Sequence, residues 1–344
     1  MLRERAMMKC RFLLAGLFTL LIGLAAQAPA ARAADAICYN CPPQWADWEG
    51  MLKSIKNDLG LDMPFDNKNS GQALSQIMAE RASPVADMAY YGITFGFKAK
   101  AEGVTQAYKP ANFDAIPADL KDPDGHWWTV HQGAFGLFVN KDALEGKPVP
   151  ACWRDLLKPE YKGLVGYLDP TSAAVGYVGA VAVNNALGGS FDNFTPALDF
   201  FKGLAKNEAI VPQQTSYARV VSGEIPILFD YDFNAYRAKY SEKGAFEFVI
   251  PCEGSVSFPY VMTMVKDAPH PENARKILDY LLSDKGQAGW THAYLRPARP
   301  IPMPADVAAK FLPAADYARV HNVDWAKAET VQKGFQDSYR ALVR

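Results

Sequence analysis

The apolar residues of this 344-residue chain are unevenly spread, and the unevenness decides which part of it folds. A run of 15 residues from Phe12 to Ala26 is almost wholly apolar. It follows Arg3, Arg5, Lys9 and Arg11, and it leads to Ala31-Arg32-Ala33. A basic start, an apolar middle of about 7–15 residues and an A-x-A site describe a secretory leader. A membrane anchor would need about 20 apolar residues, and Cys10 precedes the run where a lipoprotein cysteine would follow it. Residues 1–33 are read as a signal peptide cleaved after Ala33, and the protein as exported.

Cleavage changes the charge. Five of the 36 basic residues and one of the 37 acidic residues lie in the leader, so a net charge of −1 becomes −5. The whole chain, 49% hydrophobic and 21% charged, has an ordinary globular composition, and the charge balance gives no bulk attraction to nucleic acid. Its length fits about two domains of roughly 100–200 residues. Export also lets Cys38, Cys41, Cys152 and Cys252 oxidise. Cys38 and Cys41 lie in a segment that reads as a strand, where Cα atoms three residues apart are about 10 Å apart. A disulfide needs less than about 7 Å. The pair is therefore expected to stay unbridged unless Asn40-Cys41-Pro42 turns sharply, and a Cys152–Cys252 bridge is left open.

Periodicity sets out the elements. Trp45, Trp48, Leu52, Ile55 and Leu59 recur at helical spacing before Gly60, and Leu74, Ile77 and Met78 mark a second helix. Met63–Phe65 and Val85–Tyr91 read as strands, which makes a parallel α/β pattern. A strong strand follows at Trp127–Asn140. A second α/β unit starts at Leu164–Leu168 and runs through helices near 172–187, 196–205 and 217–222 to the strand Ile225–Tyr231. The region Phe246–Val265 reads as long strand interrupted by Pro251, Gly254 and Pro259. Residues 271–283 form an amphipathic helix, and two helices are expected in the tail.

Catalytic signatures are lacking: no dinucleotide fingerprint, phosphate loop, nucleophile elbow or zinc-protease motif occurs. His126 and His131 have poor metal-ligand spacing and read as a loop and a strand histidine. Asp230 and Asp232 resemble a carboxylate pair for acid–base work. Two apart at a strand end, they are expected on one face, with one able to bind and the other to cap the following helix.

An ordered series of motifs resembles the extracellular solute-binding family 1 proteins of ABC importers, which include polyamine, ferric-ion and phosphonate binders. The series is Trp45-Ala46-Asp47-Trp48-Glu49, Asn69-Ser70-Gly71, Asp87-Met88-Ala89-Tyr90-Tyr91 and Gln132-Gly133-Ala134-Phe135-Gly136-Leu137. It continues through Trp153-Arg154-Asp155-Leu156-Leu157, Tyr161-Lys162-Gly163-Leu164-Val165, Asp169-Pro170-Thr171-Ser172, Ser222-Gly223-Glu224-Ile225-Pro226 and Pro251-Cys252-Glu253-Gly254-Ser255 to the helix 273–283. The resemblance covers nearly all of the exported chain.

It implies an α/β, two-lobe periplasmic-binding-protein fold of type II-like form, with ligand held in the cleft. Two hinge strands would cross between the lobes, at 132–140 and 250–265. Lobe one would comprise 34–134 plus 257–300, lobe two 135–256, and 301–344 a C-terminal helical tail. Ligand contacts are then expected where strand ends and helix starts border the cleft. These are Asn69, Ser70 and Tyr90 in lobe one, Gln132 and Phe258 on the crossings, and Thr171, Ser172, Asp230, Tyr231 and Asp232 in lobe two. Helix capping is the competing role for Asn69, Thr171, Ser172 and Asp232.

Ferric binders of this family carry two adjacent tyrosines where this chain has Phe233-Asn234, so no metal and no cofactor is expected. An aspartate beside an aromatic ring favours an amine, with cation–π attraction of about 0.5–2 kcal/mol. The expected function is that of a non-enzymatic, monomeric substrate-binding subunit. It would capture an amine or zwitterion (polyamine, amino-acid-like or aminophosphonate) and deliver it to an inner-membrane permease. The alternatives are a secreted hydrolase using Asp230 and Asp232, and a sensory binding module without a transporter.

Overall fold

The computed structural model describes residues 34–43, 46–212 and 216–343. The expected leader, and Trp45 of the first expected helix, lie outside the described residues. The chain runs through β1 (Cys38–Tyr39), α1 (Trp48–Leu59), α2 (Ser70–Ala79), β2 (Met88–Gly92), α3 (Ile93–Ala101) and β3 (Thr105–Gln106) to the long strand β4 (Trp128–Asn140). There follow β5 (Val165–Gly166), α4 (Ala174–Ala186), α5 (Thr195–Lys206), α6 (Tyr217–Val221), β6 (Ile227–Tyr231), α7 (Asp232–Ser241), β7 (Phe246–Val249) and β8 (Ser255–Val265). The last part holds α8 (Pro271–Leu281), α9 (Asp284–Trp290), β9 (Arg296–Pro297), α10 (Ala305–Ala308), α11 (Ala314–Tyr317), β10 (Val320–His321) and α12 (Trp325–Leu342).

Local chemistry explains several boundaries. Asp47 caps α1 by accepting from the amide of Gly50, and Gly60 ends the helix at φ +70°. Trp48, Met51, Leu52 and Ile55 form its buried face. α8 opens with Pro271 at its start and buries Ala274, Ile277, Leu278 and Leu281, the face expected from spacing. Met63–Phe65 is not a strand; it is an irregular link between α1 and α2. α3, which follows β2 directly, was not anticipated.

The main path of the sheet is β1-β2-β8-β4-β6-β5. β1 pairs β2 in parallel and β5 pairs β6 in parallel, whereas β8 and β4 are antiparallel to their path neighbours. The sheet is thus mixed, not purely parallel, because β8 returns from late in the chain to lie between β2 and β4.

β4 is much longer than the usual strand of about five to six residues. Trp128–Ala134 pairs with β8, and Phe135–Val139 pairs with β6. β7 lies along its end, at Leu137–Asn140. The strand region 246–265 is broken once, by a turn containing Pro251 and Gly254 at φ +105°, between β7 and β8; within 250–265 the single strand β8 pairs with β4 and runs through Pro259 without interruption. Gly136 is required where β4 passes β7, since a Cβ there would sit 2.4 Å from the Val249 carbonyl oxygen.

Two expected motifs meet in space. The disulfide Cys152–Cys252 joins them at a Cα separation of 4.7 Å. Glu253 then accepts from the amides of Trp153 (2.7 Å) and Arg154 (3.1 Å), while the Trp153 indole donates to the Gly254 carbonyl at 2.9 Å. The tail ends in α12, which packs Phe335 on Phe194 with ring centroids 4.8 Å apart and brings the Tyr339 hydroxyl to 2.8 Å from that of Tyr167. Lys98 of α3 reaches Glu329 of α12 at 3.1 Å, so the tail contacts α3 as well as the region around Tyr167 and Phe194.

The Cys152–Cys252 bridge spans a separation of 100 residues, so its removal frees much chain entropy in the unfolded state. Replacing both cysteines with serine should cost about 3–5 kcal/mol in urea unfolding. An unchanged midpoint would show that the bridge carries no stability.

Candidate functional site

The site is assembled where β1, β2, β4, β6 and β8 bring their ends or centres together. On one side, β1 stops at Tyr39 and Asn40 turns into the left-handed region at φ 64°. This turn brings Cys38 and Cys41 to a Cα separation of 5.9 Å, and they are bridged. The extended-strand expectation for that pair is therefore corrected: the strand is two residues long, and Asn40 supplies the sharp turn. The Asn40 side-chain amide donates to the Tyr90 carbonyl at 2.7 Å and to Ser70 Oγ at 3.4 Å. Ser70 Oγ also accepts from the Gly92 amide at 3.2 Å, which ties the start of α2 to the end of β2. Asn69 is exposed and forms a capping box with Gln72, so its side chain is committed to the helix.

At the centre lies an aromatic cluster. Tyr90 of β2, His131 of β4, Phe258 and Tyr260 of β8, Tyr231 of β6 and Phe233 of α7 contribute rings. Tyr90 stacks near-parallel on Tyr260 at 5.6 Å, and its hydroxyl lies 2.7 Å from His131 Nε2. Tyr231 lies 6.4 Å from Tyr260 edge-on and 6.1 Å from Phe258, and stacks on Phe233 at 5.1 Å. The Tyr231 and Tyr260 side chains also hydrogen-bond.

Burial sets the protonation states. It pushes the phenols of Tyr90, Tyr231 and Tyr260 well above the ordinary range, so they stay neutral. It lowers His131 to about 3, which keeps the imidazole uncharged. Asp230 brings a carboxylate beside Tyr231 and Tyr260. It accepts from the Tyr231 amide at 2.8 Å, and the Asn234 amide group reaches both of its oxygens at 3.1 and 3.0 Å. Burial raises it to about 6, so it is charged at neutral pH.

Asp232 has other partners. It accepts from the amides of Ala134 (3.0 Å) and Phe233 (2.9 Å), and from the Tyr317 hydroxyl at 3.2 Å. The Arg296 guanidinium stands 3.8 Å above the Tyr317 ring. Asp230 and Asp232 therefore do not share a set of neighbours as strand alternation implied. β6 ends at Tyr231 and Asp232 begins α7, so the period changes between them. Nor does Asp232 cap this helix: the cap position is Tyr231.

Gln132 falls outside the aromatic cluster, in a small cavity of about 80 Å³ lined also by Ser257, Arg296, Tyr317 and Asn322. A larger depression of about 220 Å³, at Arg81, Glu102 and Lys266, shares no residue with the cluster. Thr171 donates its amide to Asp169 at 2.8 Å, and Ser172 is exposed. Neither caps α4, whose cap position is Ala173 with no side-chain bond. Of the expected residues, Tyr90, Asp230, Tyr231 and Phe258 come together, with Ser70 tied to the chain beside Tyr90. Tyr260, His131, Asn234 and Asn40 were missed. Tyr260 was legible, since alternation places it on the same face of β8 as Phe258.

The family comparison agrees with this architecture. Residues 83–331 match the family model described as bacterial extracellular solute-binding protein. The chain is 31% identical over 255 residues to an uncharacterized protein of Haemophilus influenzae, covering 70% of each. It is 23% identical over 236 residues to a putative 2-aminoethylphosphonate-binding periplasmic protein of Salmonella typhimurium, covering 66% of each. Among solved structures it is similar to the periplasmic binding protein AfuA of Actinobacillus pleuropneumoniae with fructose-6-phosphate bound. There the TM-score is 0.75 at 22% identity, over 90% of this chain and 98% of that one. The chain belongs to the bacterial extracellular solute-binding protein family and has the two-lobe α/β periplasmic-binding-protein fold. Its class is that of the solute-binding proteins of ABC importers.

Burial raises Asp232 to about 7 from an ordinary 3.8. Between those values the native chain holds a proton that the unfolded chain releases, so stability rises as pH falls through that window. Asp232→Asn should remove part of the gain in urea midpoint between pH 7.5 and 5. A wild-type midpoint that falls steadily over that range, with no change in the variant, would contradict this.

Proposed function

We propose that the protein captures a small organic cation or zwitterion between its lobes and delivers it to an inner-membrane permease. The observation that carries this reading is the Asp230 carboxylate, held by Asn234 at the edge of a neutral tyrosine cluster. A buried carboxylate gains most from a paired cation, and the rings of Tyr231 and Tyr260 add cation–π attraction of about 0.5–2 kcal/mol each. Ser70, Thr171 and Ser172, near helix starts, would take the carboxylate, phosphate or phosphonate end of a zwitterion.

In this reading lobe one is 34–134 plus 257–300 and lobe two is 135–256, with the change at Ala134/Phe135 where β4 exchanges partners. Tyr231 then meets Tyr260 and Phe258 across the cleft. Ligand would enter with those faces parted and be enclosed as they close. The leader 1–33 would direct the protein to the periplasm, where it acts as a monomer without enzymatic activity. The separate partners of Asp230 and Asp232 favour binding over acid–base chemistry. Neutral buried phenols, and Phe233-Asn234 in place of a tyrosine pair, favour an organic cation over ferric ion.

A thermal-shift panel of polyamines, amino acids, aminophosphonates and organic acids tests this. A true ligand at 100 times its Kd adds about 2.7 kcal/mol of stability. An amine is the expected hit. Its affinity should fall on acidification by about tenfold per pH unit below 6 as Asp230 is protonated, and Asp230→Asn should weaken it and flatten that dependence. Stabilisation only by amine-free anions would contradict the proposal.

A further inference from the structure

The Cys38–Cys41 disulfide has no evident role as a staple of the whole fold. Its separation is 3 residues, against 100 for Cys152–Cys252. Chain entropy removed by a cross-link grows with the logarithm of the loop it closes, so this bridge constrains little of the unfolded chain. Both of its cysteines are fully buried. Its effect is local. It closes around Asn40, which is buried and held at φ 64°, a conformation that asparagine adopts more readily than most residues but that still needs support.

From that position Asn40 connects three separate stretches of chain. Its amide donates to Asp66 Oδ1 at 2.9 Å, and its side chain donates to the Tyr90 carbonyl and to Ser70 Oγ. Asp66 answers by donating its own amide to the Cys41 carbonyl at 3.2 Å and by accepting from the Lys68 amide at 3.0 Å. Ser70 passes the connection to the Gly92 amide at the end of β2. The bridge thus lies at the root of a network that fixes 66–70, Tyr90 and Gly92 against one another.

We propose that the Cys38–Cys41 disulfide is a positioning element of the binding site: it holds Asn40 in its turn, and Asn40 sets Ser70 and Tyr90 at the registers used for ligand. This rests on the reading of Ser70 and Tyr90 as ligand-facing residues. Asn40 and the two cysteines act through those residues.

The test is hydrogen–deuterium exchange on the ligand-free, full exported chain as Cys38→Ala/Cys41→Ala, with Cys152→Ser/Cys252→Ser as the comparison. The first variant should exchange about tenfold faster at 66–70 and Gly92 while 128–140 is unchanged. The second should lose global stability without that local signature. Asn40→Gly, which tolerates the turn but lacks the side chain, should reproduce the change at Gly92 with the disulfide intact. Unchanged exchange at 66–70 and Gly92 on loss of the bridge would overturn the proposal, and so would faster exchange spread evenly over the chain. With putrescine as probe, Cys38→Ala/Cys41→Ala should weaken binding about tenfold. Failure of the wild type to bind putrescine would count against the amine reading and leave the exchange result to decide this one.

Discussion

The Asp232 carboxylate accepts the amide of Ala134 at the residue where β4 leaves β8 and takes up β6. Much of the structure depends on that contact. β4 carries β6 and β7 on its two edges at Leu137–Val139, and just before the β6 pairing begins at Phe135 the amide of Ala134 needs another acceptor. Asp232 supplies it from the first turn of α7, which also fixes where β6 must end. Tyr317 and Arg296, from the C-terminal region, complete the surroundings of the carboxylate. One buried acid thereby joins the crossing strand, the β6–α7 junction and the tail.

The same junction separates two acids that are two residues apart in sequence. Asp232 faces inward to β4 and serves the frame. Asp230, one residue before the strand end, is turned to Tyr231, Tyr260 and Asn234 and serves the cluster. The division gives the frame to one carboxylate, and the proposed ligand role falls to the other. It also explains why burial raises both without making them a coupled pair: each has its own donors.

Much of the fold was legible because its elements have strong local signals. The apolar face of α8, the length of β4 and the stop at Gly60 can be read from spacing and residue type. The motif order carried the two-lobe architecture. What escaped depended on contacts between distant residues. No periodicity places β8 between β2 and β4, and none shows that α12 reaches both Tyr167 and Lys98. The site divides in the same way. Asp230 and Tyr231 stand at the end of β6, and Tyr90 lies in the short strand β2, so all three could be nominated. Asn40 lies inside a C-x-x-C segment whose residue types read as an extended strand, whereas the strand is two residues long and the chain turns at Asn40. His131 reads from spacing as an ordinary strand histidine, and only the fold brings a tyrosine hydroxyl to its ring.

The central claim is that a neutral aromatic cluster with one ionised aspartate, Asp230, selects a cation. Native mass spectrometry of protein isolated gently from the compartment where it works tests it most directly. The account predicts a retained amine-containing solute on the wild-type chain, absent from Asp230→Asn and still present on Gln132→Ala, whose side chain lies outside the cluster. Retention of ferric ion, or of an anion with no amine, equally by wild type and Asp230→Asn would contradict it.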